Sequence, residues 1–222
     1  GQVDLTSHPL PGRVRSLLSG QASRLLDSDD AQTTSQRVRV GRLQEGDVRE
    51  RTQYLEYQHA RVSSANDVVV SNASALSGTA QWIWRHVDNQ LLPTQGYTGL
   101  AELTLGQTYS ALDSTGTFTR AYGRITAYRP LPLNWHLTAR AEAGQVSAGE
   151  DVSVPDTLLF RAGGDDSVRG YAYRSLGVKR EGVTIGGRAM ATASVELAHP
   201  ILQRMPSLLG AVFVDAGDAA ER

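Results

Sequence analysis

The sequence predicts an all-β protein, an antiparallel up-and-down sheet of the transmembrane β-barrel kind, on three observations. Strand-length segments alternate apolar and polar side chains with a period of two. Clusters of Gly, Pro, Asn, Asp and Ser separate these segments. Short connections alternate with longer ones along the chain, and outer-membrane barrels have short periplasmic turns and long outer loops.

Composition narrows the alternatives. The chain has 222 residues, 40% hydrophobic, with a formal net charge of -1. That charge indicates no polycation for nucleic acid. With no cysteine there is neither a disulfide framework nor a thiolate metal site, and the five histidines show no HxxxH spacing for a metal. No cofactor is implied. The longest apolar run, 208–214, is far short of the roughly 18 residues of a spanning helix, which excludes a membrane helix and leaves a membrane barrel open. Gly1 is followed by neither a basic nor an apolar leader region, so a secretory signal is expected outside this sequence and the chain reads as a fragment.

Nine strands are expected, at 13–25, 32–43, 49–62, 75–87, 97–108, 118–129, 135–146, 184–197 and 208–217. The first pair is joined through LDSDDAQT and the second through the short turn 44–47. A longer polar connection at 63–72 precedes the fourth strand, which puts Trp82 and Trp84 on one face. Those two suit an interfacial girdle or ordinary barrel packing equally. DNQLLPTQG then turns the chain, a loop at 110–116 follows the fifth strand, and 130–134 turns it again. The last two strands are joined by AHPILQRMPS.

The faces are sharpest in the second half. Trp135, Leu137, Ala139, Ala141 and Ala143 share one face of their strand, and His136, Thr138, Arg140 and Glu142 share the other. Ala121, Ile125 and Ala127 oppose Arg120, Tyr122, Arg124 and Thr126 in the same way. A soluble sandwich would bury the apolar face; an outer-membrane barrel would turn it to lipid and the charged face to a watery lumen. Periodicity alone does not separate the two, and the alternation of short and long connections favours the barrel. By the same parity Glu196 and Asp215 face the lumen, opposite Ala193, Val195 and Leu197 on one strand and Val212, Val214 and Ala216 on the next.

Between the eighth strand and its predecessor lies FRAGGDDSVRGYAYRSLG, residues 160–177. Gly163 and Gly164 allow positive φ or close backbone approach, and Gly170 permits a tight turn just after Arg169. A guanidinium held at such a bend can grip a carboxylate through two parallel hydrogen bonds. Arg169 is therefore expected to fold inward between Glu196 and Asp215. The competing reading is a solvated loop arginine.

The stretch GGDDSVRGY resembles the signature of the inward-folded sixth outer loop of BamA-type barrels in the outer-membrane assembly superfamily, whose hallmark is VRG[FY], here Val168-Arg169-Gly170-Tyr171. GGRAMATASVELAHP at 186–200 and VFVDAG at 212–217 are similar to the next two strands of that family, with the acidic positions at Glu196 and Asp215. The GGD lead-in with Asp165, the AYRSLG continuation and DNQLLPTQGY at 88–97 look most like TamA-like barrels of the translocation and assembly module. The resemblance is at motif level from about residue 73 onward.

It implies a barrel of sixteen strands preceded by POTRA domains. Residues 1–222 would be a partial C-terminal outer-membrane barrel domain with its inward loop at about 147–183, lacking the POTRA domains, roughly the first four strands and the last three. It further implies a brace of Arg169, Glu196 and Asp215, a loop shaped by Gly163, Gly164, Asp165, Val168 and Gly170, and Tyr171 packed on the lumen wall. The implied function is assembly and translocation at the bacterial outer membrane, without catalysis. Partners would be outer-membrane lipid, client outer-membrane or autotransporter proteins, and a TamB-like protein anchored in the inner membrane. First and last strands pair weakly in this family, so a seam can open and template a client strand.

Two-partner-secretion transporters also carry the VRG[FY] loop, and the GGD lead-in argues against that reading. A hydrolase would need Ser, His and an orienting group within reach. No GxSxG occurs, although His136 and Ser194 both face the lumen by parity. A passive porin is opposed by the plugging loop.

Overall fold

The computed structural model describes residues 1–26, 31–64, 66, 68–110, 114–202 and 204–221. Parts of the LDSDDAQT, 63–72, 110–116 and AHPILQRMPS connections lie outside the described residues. Among the described residues there are twelve strands: β1 Gln2–Thr6, β2 Val14–Leu26, β3 Gln32–Gln44, β4 Arg49–Ser63, β5 Val69–Val87, β6 Gly96–Ser110, β7 Gly116–Leu131, β8 Trp135–Ala148, β9 Val178–Arg180, β10 Val183–Ile185, β11 Ala189–Leu202 and β12 Met205–Ala220. Ten form a single sheet in the order β1-β2-β3-β4-β5-β6-β7-β8-β11-β12, every pair antiparallel. The sheet is open, with β1 and β12 at its edges. The antiparallel meander expected from the sequence is the fold observed.

Three details differ. The sheet has ten strands rather than nine, because the N-terminal residues 2–6 pair with 17–21 on β2. The segment expected as one strand from Thr184 is two. Val183–Ile185 pairs with Val178–Arg180 as a hairpin inside the long connection, and the wall resumes only at Ala189. Gly186-Gly187 breaks the strand between them, and at Gly187 a Cβ would meet the Ala220 carbonyl oxygen at 2.4 Å. The inward connection therefore runs 149–188. Finally, AHPILQRMPS is mostly strand: β11 continues through Pro200 to Leu202, with an irregular register after Pro200.

The registers fix which residues share a face. Ile125, Ala141 and Ala193 stand side by side across β7, β8 and β11, as do Ala127, Ala139 and Val195. Leu18, Val38, Val40, Leu55, Leu76, Leu103, Leu105, Val212 and Val214 lie on this outer face and are all exposed. Among the described residues no second sheet covers them, and a continuous apolar surface of this kind has lipid as its stable surroundings. Trp82 and Trp84 are on the outer face too, in register with Ala101 and Gly99. Beside the short-turn ends of the strands His86 stacks on Tyr97 at 5.2 Å, and Trp135 meets His199 at 4.8 Å. Together they make an aromatic belt at one rim.

One of those turns shows why the sequence bends where it does. Asp88 accepts hydrogen bonds from the Thr94 hydroxyl at 2.6 Å and from the Thr94 and Gln95 amides at 2.9 and 3.0 Å. Asn89 accepts from the Leu91 and Leu92 amides. DNQLLPTQ thus closes on its own side chains. The Thr94 hydroxyl first, then the two amides, hold the Asp88 carboxyl well below the usual carboxylate range, so this contribution is kept at neutral pH and lost only as pH falls far into acid.

The inner face is polar and cross-linked. Arg39 donates to Glu56 at 2.6 Å and lies over the Tyr54 ring at 3.8 Å. Arg120 pairs with Glu102, which also accepts from Gln81; the Tyr122 hydroxyl donates to Glu142 at 2.9 Å. Above this ladder an apolar cluster of Ala75, Phe118, Val146, Met190 and Ala219 from the wall meets Val154, Leu158, Phe160, Ala162 and Val168 from the connection.

A charge placed outward should oppose folding into a bilayer. Ala141→Arg in the full-length protein is expected to destabilise the folded state by roughly 2–4 kcal/mol if position 141 lies near the midplane. Equilibrium folding into lipid vesicles checks this; an unchanged folding free energy contradicts the face assignment.

Candidate functional site

The connection 149–188 carries the candidate site, and the inner wall is shaped to receive it. The Thr108 hydroxyl on β6 donates to the Ser153 carbonyl. Thr157 donates to Gln58 on β4 at 2.8 Å, Arg120 on β7 to the Leu158 carbonyl at 3.0 Å, and Arg140 on β8 to the Ser167 carbonyl at 3.3 Å. Phe160 fits where β8 has no side chain: a Cβ on Gly144 would sit 2.3 Å from the Phe160 ring. The same ring stacks on Tyr122 at 6.1 Å and lies under the Arg120 guanidinium at 4.5 Å.

The bend around Arg169 has the backbone expected of its glycines. Gly163, Gly164 and Gly170 have φ of 104°, 97° and 91°, which other residues adopt only with strain. Gly163 is also crowded, since a Cβ there would meet the Ala172 carbonyl oxygen at 2.5 Å. The Gly164 amide donates to the Tyr171 carbonyl at 3.1 Å and the Arg174 amide to the Gly163 carbonyl at 3.2 Å, while the Gly163 amide donates to Ser167 Oγ at 2.8 Å. These bonds close the turn on itself and aim the Arg169 side chain at β11 and β12.

Arg169 uses its fork fully. Nε and Nη2 donate to the two oxygens of Asp215 at 2.8 and 2.9 Å, and the Arg169 backbone amide donates to Asp215 Oδ2 at 2.9 Å. Nη1 reaches Glu196 at 2.5 Å and Nη2 reaches Ser194 Oγ at 3.0 Å. The β11–β12 register sets Ser194 opposite Asp215 and Glu196 opposite Phe213, so the four wall residues form one patch. The guanidinium carbon lies over the Phe213 ring, 3.5 Å from its centroid, adding a cation–π contact. Asp215 is 3% exposed and Glu196 33%, which makes Asp215 the stronger partner.

The other expected residues divide. Val168 is buried in the apolar cluster, next to the arginine that points the opposite way. Asp165 is exposed, at the rim of a hollow shared with Arg124, Arg140 and Glu196. Tyr171 does not pack on the lumen wall: it is 55% exposed, because the turn at Gly170 swings it away from the wall after Arg169. Phe160 takes the aromatic role instead. His136 and Ser194 do not meet. His136 is in register with Ala198 and Ser194 with Arg140, about 13 Å apart along the strands.

A second ionic node was not expected. Asp156 and Arg161 form a pair at 3.0 Å with both side chains 1% exposed. Arg174 joins at 3.4 Å, and the Gly186 amide donates to Asp156 at 2.7 Å. This node ties the start of the connection to its end. Its only trace in the sequence is three charged residues within a long loop, and no periodicity says which of them turn inward.

With this geometry in place, the similarities of the chain become informative. Residues 18–222 match the Omp85 superfamily domain. The outer membrane protein assembly factor BamA of Neisseria meningitidis serogroup B is 33% identical over 158 residues, covering 63% of this chain and 18% of that protein. The crystal structure of BamA from Haemophilus ducreyi lacking POTRA domains 1–3 superposes with a TM-score of 0.74 at 18% identity, covering 98% of this chain and 49% of that one. At that identity the likeness is one of fold. The chain spans less than a fifth of the curated relative and about half of the solved one.

Two variants test the site. Arg169→Ala strips Asp215 and Glu196 of their charge-assisted hydrogen bonds and is expected to cost up to about 3 kcal/mol, less where lumen water reaches the freed carboxylates. Arg169→Lys is expected to restore only part, since an ammonium cannot make the forked contact. Unfolding midpoints and protease resistance of 149–188 in the full-length protein report both; wild-type behaviour of Arg169→Ala removes the brace.

Gly144→Val fills the seat of Phe160 and is expected to cost about 1–3 kcal/mol through overpacking. Cleavage within the loop should quicken while the wall stays intact. Unaltered cleavage would show that the ring can be housed elsewhere.

Proposed function

This chain belongs to the Omp85 superfamily, and from that premise we propose that it supplies wall and inward loop to an outer-membrane barrel that assembles or translocates other proteins. Its strands belong to the bacterial outer membrane. The observation that carries the functional reading is the forked Arg169–Asp215 contact with Glu196 alongside, which holds the signature loop against the wall. A loop so held obstructs the lumen and suits a barrel that works at its rim rather than a passive pore.

The rim mechanism follows from backbone chemistry. β1 and β12 present unpaired N–H and C=O groups, which lipid cannot satisfy. We propose that residues 1–222 are part of a larger barrel domain in which further strands cover these edges, a reading that the cost of unpaired edge groups in lipid supports. A weakly paired seam elsewhere in that barrel would be receptive to a client strand by β-augmentation. The chemistry is exchange of hydrogen bonds, with no covalent step and no enzymatic role.

Within the superfamily, the GGD lead-in at Gly163-Gly164-Asp165, AYRSLG and DNQLLPTQGY support a TamA-like subunit working with a TamB-like partner on outer-membrane or autotransporter clients. The curated relative bears the name of the assembly factor BamA, which supports the general assembly reading. Reconstitution of the full-length protein in liposomes decides the main proposal: an unfolded outer-membrane client should fold faster than in empty liposomes, and Arg169→Ala should reduce the gain. Absence of any acceleration by the wild type overturns it. Co-purification with a TamB-like protein decides the subtype separately.

A further inference from the structure

The outer face holds a cluster that neither the brace nor the apolar belt uses. Arg42 on β3 and Arg49 and Arg51 on β4 are exposed on the lipid side near the short 45–48 turn. The register places Arg42 opposite Gln53 and Gln44 opposite Arg51, so Arg42 and Arg51 are diagonal neighbours about 7–8 Å apart. Arg49 is two positions along the same face, about 7 Å from Arg51. Nearby arginines have carboxylates: Arg13 pairs with Asp47, Arg15 with Glu45 and Arg85 with Glu50. Among the described residues the side chains of Arg42, Arg49 and Arg51 have no hydrogen bond, ion pair or ring contact. Like charges gathered on an apolar surface without counter-ions repel one another, so the cluster calls for an anion from its surroundings.

Position says which anion. β5 sets Trp84 opposite Arg49 and Trp82 opposite Arg51, at the aromatic belt, where indoles mark the headgroup level. Immediately beyond, Val40, Val38, Leu55 and Leu18 begin the apolar band. An outward arginine is tolerated best near such an interface, with its stem along the apolar surface and its guanidinium at the headgroups. Guanidinium matches phosphate through paired hydrogen bonds. Short turns face the periplasm in outer-membrane barrels, which identifies the leaflet.

We propose that Arg42, Arg49 and Arg51, flanked by Trp82 and Trp84, form a docking surface for the phosphate headgroups of anionic phospholipid in the periplasmic leaflet. The proposal rests on the outer-membrane reading of the chain. It makes this patch of the wall, well away from the inward loop's brace, a preferred contact for charged lipid.

Brominated lipids test it in the full-length protein on a cysteine-free background. A fluorophore is placed at Gln53→Cys, beside the arginines, or at Leu105→Cys, an outer-face control. The protein is folded into phosphatidylcholine vesicles containing brominated phosphatidylglycerol or brominated phosphatidylcholine. The relative association of phosphatidylglycerol at Gln53 is expected to exceed that at Leu105 by about fivefold. It should fall to the Leu105 value in the triple Arg→Gln variant, and partly in Arg51→Gln should the triple variant fail to fold. Equal preference at the two labels, or a preference untouched by either variant, overturns the proposal. Absence of quenching by brominated phosphatidylcholine at both labels would instead overturn the lipid-facing assignment itself.

Discussion

The grip of Arg169 on Asp215 is the constraint on which the inward arrangement turns. A connection running from 149 to 188 loses much conformational freedom when it lies against a wall, and connections above about 12–15 residues need a structural reason. Apolar contact supplies part of that reason through Phe160, Val168, Leu158 and Val154. Hydrophobic burial is non-directional, however, and would accept many placements of the same side chains. The forked guanidinium accepts one. With the Arg169 amide bonded to the same carboxylate, both backbone and side chain at the tip are fixed to β12, and the rest of the loop is positioned from there.

The wall is complementary to that tip at the level of single residues. Ser194 and Glu196 project from β11 and Phe213 and Asp215 from β12, all on the inner face because alternate residues share a face. A single guanidinium then meets two carboxylates, a hydroxyl and a ring. Farther along, Gly144 leaves room for Phe160, and the small side chains Ala75 and Ala219 border the same apolar cluster. The Asp156–Arg161 node closes the loop internally, so Arg169 holds down a body that is already folded rather than a slack segment.

How much of this is legible in the sequence depends on whether a repeating rule applies. Strand parity is such a rule, and it places Glu196, Asp215 and even Phe213 inside without any knowledge of contacts. The positive φ values at Gly163, Gly164 and Gly170 are legible because glycine clusters have few other uses. Tyr171 defeats the rule: its ring is large and apolar, but its direction is set by the turn at Gly170, which no pattern encodes. Asp156, Arg161 and Arg174 are illegible because loop residues have no period. β1 is hidden because its five residues precede a Pro-containing turn and offer too little alternation to count. The β9–β10 hairpin is hard to separate from the wall because Val183 and Ile185 alternate in phase with Ala189 and Ala191 of β11.

The braces also determine where this barrel can move. Thr157 reaches β4, Ser153 is held from β6, Leu158 from β7, Ser167 from β8, and Arg169 holds β11 and β12. One loop thus spans the inner face of the sheet from β4 to β12. Ladder hydrogen bonds alone permit a sheet to flex about each strand pair, whereas a tie across several pairs opposes changes in curvature. Deformation is cheapest where such ties are missing. Among the described residues these bonds run from β4 to β12, and Val183 and Ile185 of the β9–β10 hairpin pack with Ala31 and Val62, so the tie extends to the start of β3 and stiffens this whole stretch of wall against bending.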